Sequence, residues 1–150
     1  MNLPGRLQAA QSDGGTIGFA ILLNFVWINL SEVFRYFVFV RPMMQEALPT
    51  LPDVAPMSVS VFLIWGVWDT ILVIAVTLVA VLALERLGGS PKNIFRIATG
   101  IWAGIFVILW LGLFNMNLAT PGVLLVALPL AWLEMFVAVH LVAYAMRRSQ

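Results

Sequence analysis

Residues 59–84 read VSVFLIWGVWDTILVIAVTLVAVLAL, a run whose sole ionisable side chain is Asp69. A helix that crosses a bilayer needs about 20 mostly apolar residues, because hydrocarbon offers backbone amides no partner outside a helix or a closed barrel. This run exceeds that length. It is also continuous, whereas the strands of an outer-membrane barrel are about ten residues long and alternate in polarity. It therefore reads as a membrane-crossing helix. Three further stretches meet the same test: Ile17 to Val40, Ile94 to Phe114 and Val123 to Met146. The fold class expected is an all-α integral membrane protein, a four-transmembrane-helix antiparallel bundle forming one domain, without internal repeats.

Composition agrees. Of 150 residues, 62% are hydrophobic and 10% charged, against about 25% charged in a soluble domain. Eight basic and seven acidic side chains cannot cover the surface of a soluble globule. The lack of cysteine excludes disulfides, thiolate metal sites and cysteine nucleophiles, and a net charge of +1 excludes an electrostatic nucleic-acid binder.

Local signals place the boundaries. Leu87-Gly88-Gly89-Ser90-Pro91 reads as a helix stop and a new start, with Ser90 as N-cap and Pro91 at the first helical position, and Thr120-Pro121 repeats that start. The short connection from Asn115 to Gly122 predicts a tight hairpin between spans three and four. Between Arg41 and Ser58, Pro42, Pro49, Pro52 and Pro56 argue against a continuous helix. Met43, Met44, Leu48, Leu51 and Met57 keep that connection greasy, so it is expected to lie along the interface.

Basic residues in short loops tend to stay cytoplasmic. Arg6, Arg86, Lys92, Arg96, Arg147 and Arg148 fall on the side of both termini and Arg41 on the other, so both termini are expected to be cytoplasmic, in a bacterial inner membrane. The N-terminal segment has a single basic residue, Arg6, and an apolar core interrupted by Asn24 and Asn29. It reads as a poor cleavable signal, and span one is expected to remain. The small-xxx-small pairs Gly14/Gly18 and Gly100/Gly104 are read as packing points between helices of this chain.

Charges inside hydrocarbon are costly unless they face protein or water. Glu32 and Arg35 lie in span one, Asp69 in span two and Glu134 in span four. Counted inward from Val40, Val59 and Val123 at about 1.5 Å per residue, the three acids sit at depths of roughly 12, 15 and 16 Å. Three carboxyls level on three helices predict a common interior point. Along span one, Asn24, Trp27, Ser31, Glu32 and Arg35 form one polar stripe, with Asn29 and Tyr36 at its edge or beyond, and Glu32 and Arg35 are spaced to pair. In span two, Trp65 and Trp68 flank Asp69 and can donate indole N–H bonds; Trp132 is at similar depth. Pro129 deprives the Leu125 carbonyl of its partner five residues before Glu134, a way of opening a cavity with a kink. Three acids against one arginine predict that a carboxyl is protonated or is neutralised by a bound cation. The same set also reads as purely structural, fixing which helices meet.

The remaining features are less specific. His140 stands alone and reads as a packed side chain, and one histidine excludes bis-histidine haem and multi-histidine metal sites. Lys92, the sole lysine, is in a loop, which excludes a retinal Schiff base in the interior. Met43, Met44 and Met57 have the softness to attract Cu(I), but interfacial contact is their preferred reading. Phosphate-loop, HExxH and Ser-His-Asp patterns are absent. No cofactor or metal is expected. Four helices with a glutamate in the first resemble the small multidrug transporters at that coarse level, and no further motif of theirs is present.

The leading expectation is a transporter or channel subunit that binds a proton, cation or cationic substrate through Glu32, Asp69, Glu134, Arg35, Asn24, Ser31, Trp65 and Trp68. An accessory or assembly subunit of a larger membrane complex is the alternative, and an intramembrane lipid-modifying enzyme ranks last because the acids lie too deep and dispersed. The partners expected are membrane lipid, through the weak basic patch of Arg86, Lys92, Arg96, Arg147 and Arg148, and copies of the chain or a larger membrane complex. Nucleic acid is not among them.

Overall fold

The computed structural model describes residues 12–50 and 57–149; Arg6, and with it the reading of the N-terminal signal, and Leu51, Pro52 and Pro56 lie outside them. Among the described residues the chain is helical, with four helices long and apolar enough to cross a membrane: α1 (Gly14–Ala47), α2 (Val59–Leu87), α3 (Pro91–Asn115) and α4 (Pro121–Arg148). Each begins on a capped residue. Asp13, Ser58, Ser90 and Thr120 use their side chains to accept amides from Thr16, Val61, Asn93 and Val123, satisfying donors that the first turn leaves orphaned. The Thr16 bonds hold the exposed Asp13 carboxyl below the usual aspartate range. Gly88 ends α2 at φ 79°, in the left-handed region that glycine enters without a Cβ clash.

Two helices contain a wide π turn, Tyr36–Val40 in α1 and Ala103–Val107 in α3. The first corrects the expected end of span one. The helix runs past Val40 to Ala47 because the π turn starts a fresh segment at Arg41, and Pro42 falls in its first turn, where a missing amide costs little.

α4 is central and packs against α1, α2 and α3; α2 also packs against α1 and the first part of α3, Pro91–Trp102. From Ala103 onward, no Cα of α3 comes within 8 Å of α2, so the two helices part beyond the π turn. The inward stripe of α4 is Val123, Ala127, Ala131, Glu134, Ala138 and Val142, all fully buried, at the helical period. Small residues let helix backbones approach where lipid supplies no hydrophobic drive.

The glycine pairs do not have the packing role expected of them. Gly14, Gly18, Gly100 and Gly104 are exposed, and a Cβ built on any of them meets nothing within 4 Å. Close approach falls instead to the alanines of α4, because the glycines face outward. Gly100→Ala and Gly104→Ala should each therefore leave the monomer folded, with a gain of about 0.5–1 kcal/mol from lost chain entropy, measurable by unfolding in a fixed detergent. A loss of stability in both would place that face in a contact.

The outer surface is aliphatic and aromatic: Leu30, Ile64 and Leu125 are each about two-thirds or more exposed. Buried polar groups are bridged across helices. Asn24 donates to Thr77 at 3.0 Å, Trp102 to the Leu128 carbonyl at 2.8 Å and Trp132 to the Thr99 hydroxyl at 3.0 Å. Pro129 faces outward in an unbroken α4 and so does not open the site.

Candidate functional site

Arg35 organises the interior. It is three residues after Glu32 on α1, the spacing that aligns side chains on one helix face, and its Nη2 donates to Glu32 Oε1 at 2.7 Å. Its other terminal nitrogen lies 3.4 Å from Glu134 Oε2 on α4, within ion-pair distance but without hydrogen-bond alignment. The guanidinium also sits over the Phe106 ring of α3, 5.2 Å from its centroid, a cation–π contact strengthened by burial. Asp69 of α2 is buried with its carboxyl beside that of Glu32. The three acids expected to be level are thus gathered around one arginine.

The pairing is incomplete. Both Glu134 carboxyl oxygens and Asp69 Oδ1 are buried without a hydrogen-bond partner. Two carboxyls side by side cannot both hold a full charge in a low-dielectric interior, and one guanidinium cannot balance three acids. Among the described residues, the acids do not form a metal centre.

Two openings reach this cluster. A groove of about 690 Å³ lies where α2 and α3 part, and has Glu32 and Arg35 among its lining residues. Its walls are aromatic and aliphatic, with Trp65, Trp68, Phe106 and Trp110 prominent. A smaller cavity of about 250 Å³, between α1 and α4, is lined by Ser31, Glu134, Trp27 and Phe34, and again by Arg35.

The other expected site residues divide. Trp65 donates its indole N–H to Glu32 Oε2 at 3.3 Å, not to Asp69. Trp68 is about half exposed, stacks on Trp65 at 6.5 Å and lines the groove. Ser31 shares the smaller cavity with Glu134. Asn24 is tied to Thr77 and lines neither opening, because it lies two turns before Glu32 along α1. Trp132 likewise turns away, stacking on Phe136 at 5.2 Å. His140 bonds the Phe136 carbonyl through Nδ1 at 2.9 Å, four residues back. The Met43 methyl lies beside Gly122, where a Cβ would meet it at 3.8 Å, and Met57 lines the groove.

Phe106, Tyr36 and Trp27 were missed as site residues. Phe106 is eight residues from Phe114, the depth at which Glu32 lies from Val40, so the same depth count, applied to a third span without acids, places it level with Glu32. Tyr36 joins the groove because the π turn begins there and rotates the face. Trp27 donates to the Glu134 backbone carbonyl at 3.0 Å; its place on the polar stripe of span one is the signal for it, though not for this partner.

No family model, curated protein or solved structure matches this chain.

Proposed function

We propose that the protein is a small transporter or channel subunit that takes a proton, cation or cationic substrate at the acids around Arg35. The observation that carries this reading is a groove with Glu32 on its lining, backed by Asp69 and Glu134 whose buried carboxyl oxygens lack partners. A cation supplies the missing positive charge, and the Trp65–Trp68 stack offers π faces to it. Glu32 is the anchoring carboxylate, Asp69 and Glu134 hold protons or share the added charge, and Arg35 positions the acids.

The architecture proposed with it is an antiparallel bundle with both termini on the cytoplasmic side of a bacterial inner membrane. In support, Ser12 at the start of α1 donates to Glu85 near the end of α2 at 2.8 Å, and Arg86, Lys92, Arg96, Arg147 and Arg148 are all exposed, where anionic headgroups attract them. Four helices are few for a complete pathway, so a homo-oligomer or a larger membrane complex belongs to the proposal.

Proteoliposomes containing the pure protein test it. Uptake of tetraphenylphosphonium above that of empty vesicles is expected, falling about tenfold or more in Glu32→Gln, the effect of losing about 1.4 kcal/mol of binding. If neither protons, alkali cations nor organic cations move, and Asp69→Asn leaves the host phenotype unchanged, the reading fails.

A further inference from the structure

Among the described residues, Arg35 is the one that lines both openings. Glu32 belongs to the groove alone and Glu134 to the smaller cavity alone. The guanidinium therefore stands between two acids that face separate spaces. It bonds Glu32 closely at 2.7 Å and reaches Glu134 at 3.4 Å without hydrogen-bond alignment. Both acids are therefore within ion-pair distance of one side chain.

We infer that the protein exchanges a cation for a proton through this arginine: a cation arriving at Glu32 in the groove hands Arg35 to Glu134, whose O–H proton passes to a water molecule admitted to the smaller cavity beside Ser31. The inference rests on the cation-binding reading above and adds how the two ions are coupled.

The charge count is what requires the coupling. With Arg35 bonded to Glu32 those two charges cancel, and in that state the proton is on Glu134, which is fully buried and reached by Arg35 only at 3.4 Å without a hydrogen bond. Asp69 is buried beside Glu32, and two adjacent carboxyls in a low-dielectric interior do not both carry a full charge. When the cation pairs with Glu32, the freed guanidinium is an unpaired buried charge unless another anion meets it. Glu134 is the nearest candidate, and it becomes an anion by losing its O–H proton. One positive charge enters at Glu32 as one leaves from Glu134, so the cluster stays neutral throughout.

The groups that face Glu134 are few. From α1 they are Arg35, Glu32 and the Ser31 hydroxyl, with the Trp27 indole spent on the Glu134 carbonyl; from α2 Asp69 bears on it. From α3, Phe106 bears on the cluster through its contact with Arg35. Tyr36 lies on the groove side. None of these can replace Arg35 as counter-ion, and Ser31 is the polar group beside which the proton leaves.

Two measurements on the full chain in lipid nanodiscs decide the matter. In weakly buffered solution, tetraphenylphosphonium should release a proton for each cation bound, and Glu134→Gln should bind it with no release. Infrared spectroscopy supplies a test without ligand. The protonated-carboxyl band absent from Glu134→Gln should also be lost in Glu32→Gln, where Arg35 no longer has its first partner and turns to Glu134. Binding without proton release, or a Glu134 band that persists in Glu32→Gln, would overturn the exchange. No binding of the phosphonium would instead sink the cation-binding reading, and the infrared comparison would still report whether Arg35 changes partner.

Discussion

Arg35→Met should destabilise the fold by about 3–5 kcal/mol, the cost of leaving a buried ion pair with one member missing. Arg35 is about 8% exposed, and its guanidinium is shared among Glu32, Glu134 and the Phe106 ring on three helices. Methionine keeps much of the side-chain length and fills the same space, so the loss is electrostatic rather than a cavity. Pairing it with Glu32→Gln should recover most of the stability, since the orphaned carboxylate is then gone. Unfolding of both variants and the parent by a denaturing detergent, followed by circular dichroism, measures this. Equal midpoints for Arg35→Met and the parent would show that the arginine does not hold the interior together.

Ala131→Leu should cost about 1–3 kcal/mol through overpacking. Ala131 is fully buried on the inward face of α4, three residues before Glu134. α4 touches all three other helices, so a branched side chain there separates backbones that only small residues allow to meet. In a bilayer the opposite change, from large to small, recovers less than in water, because lipid is as apolar as the interior. Overpacking is therefore the sharper probe. Leu130→Ala, at a half-buried neighbouring position, serves as the control; a midpoint as low as that of Ala131→Leu would mean that the α4 stripe has no special tightness.

Much of this arrangement is readable from residue order, for identifiable reasons. The long apolar runs mark the four helices because hydrocarbon permits few alternatives. Ser90-Pro91 and Thr120-Pro121 mark two starts because capping chemistry is local. The meeting of Glu32, Asp69 and Glu134 follows from depth, which needs only a constant rise per residue. What escapes depends on angle or on partners. The π turn at Tyr36–Val40 adds a residue to one turn, so face counting along α1 fails beyond Arg35 and the helix outlasts its expected end. The groove depends on where α2 and α3 cease to touch, and Trp65 turns to Glu32 instead of Asp69 because the nearer acceptor lies on another helix. The outward glycines show the converse limit: a spacing motif records which approach is allowed, not which one occurs.

The parting of α2 and α3 beyond Ala103 leaves the polar floor reachable from the side. For a helix pair set in a bilayer, that gap faces acyl chains, and a visitor need not travel through water to arrive. For an organic cation of the kind proposed, the relevant concentration is then the one dissolved in oil. Each added methylene on a guest enriches it there by about 0.8 kcal/mol before any protein atom is touched. If the proposed cation binding holds, preference among organic cations is thus sorted first by their partition coefficients, before the carboxylates act on those the lipid has already gathered.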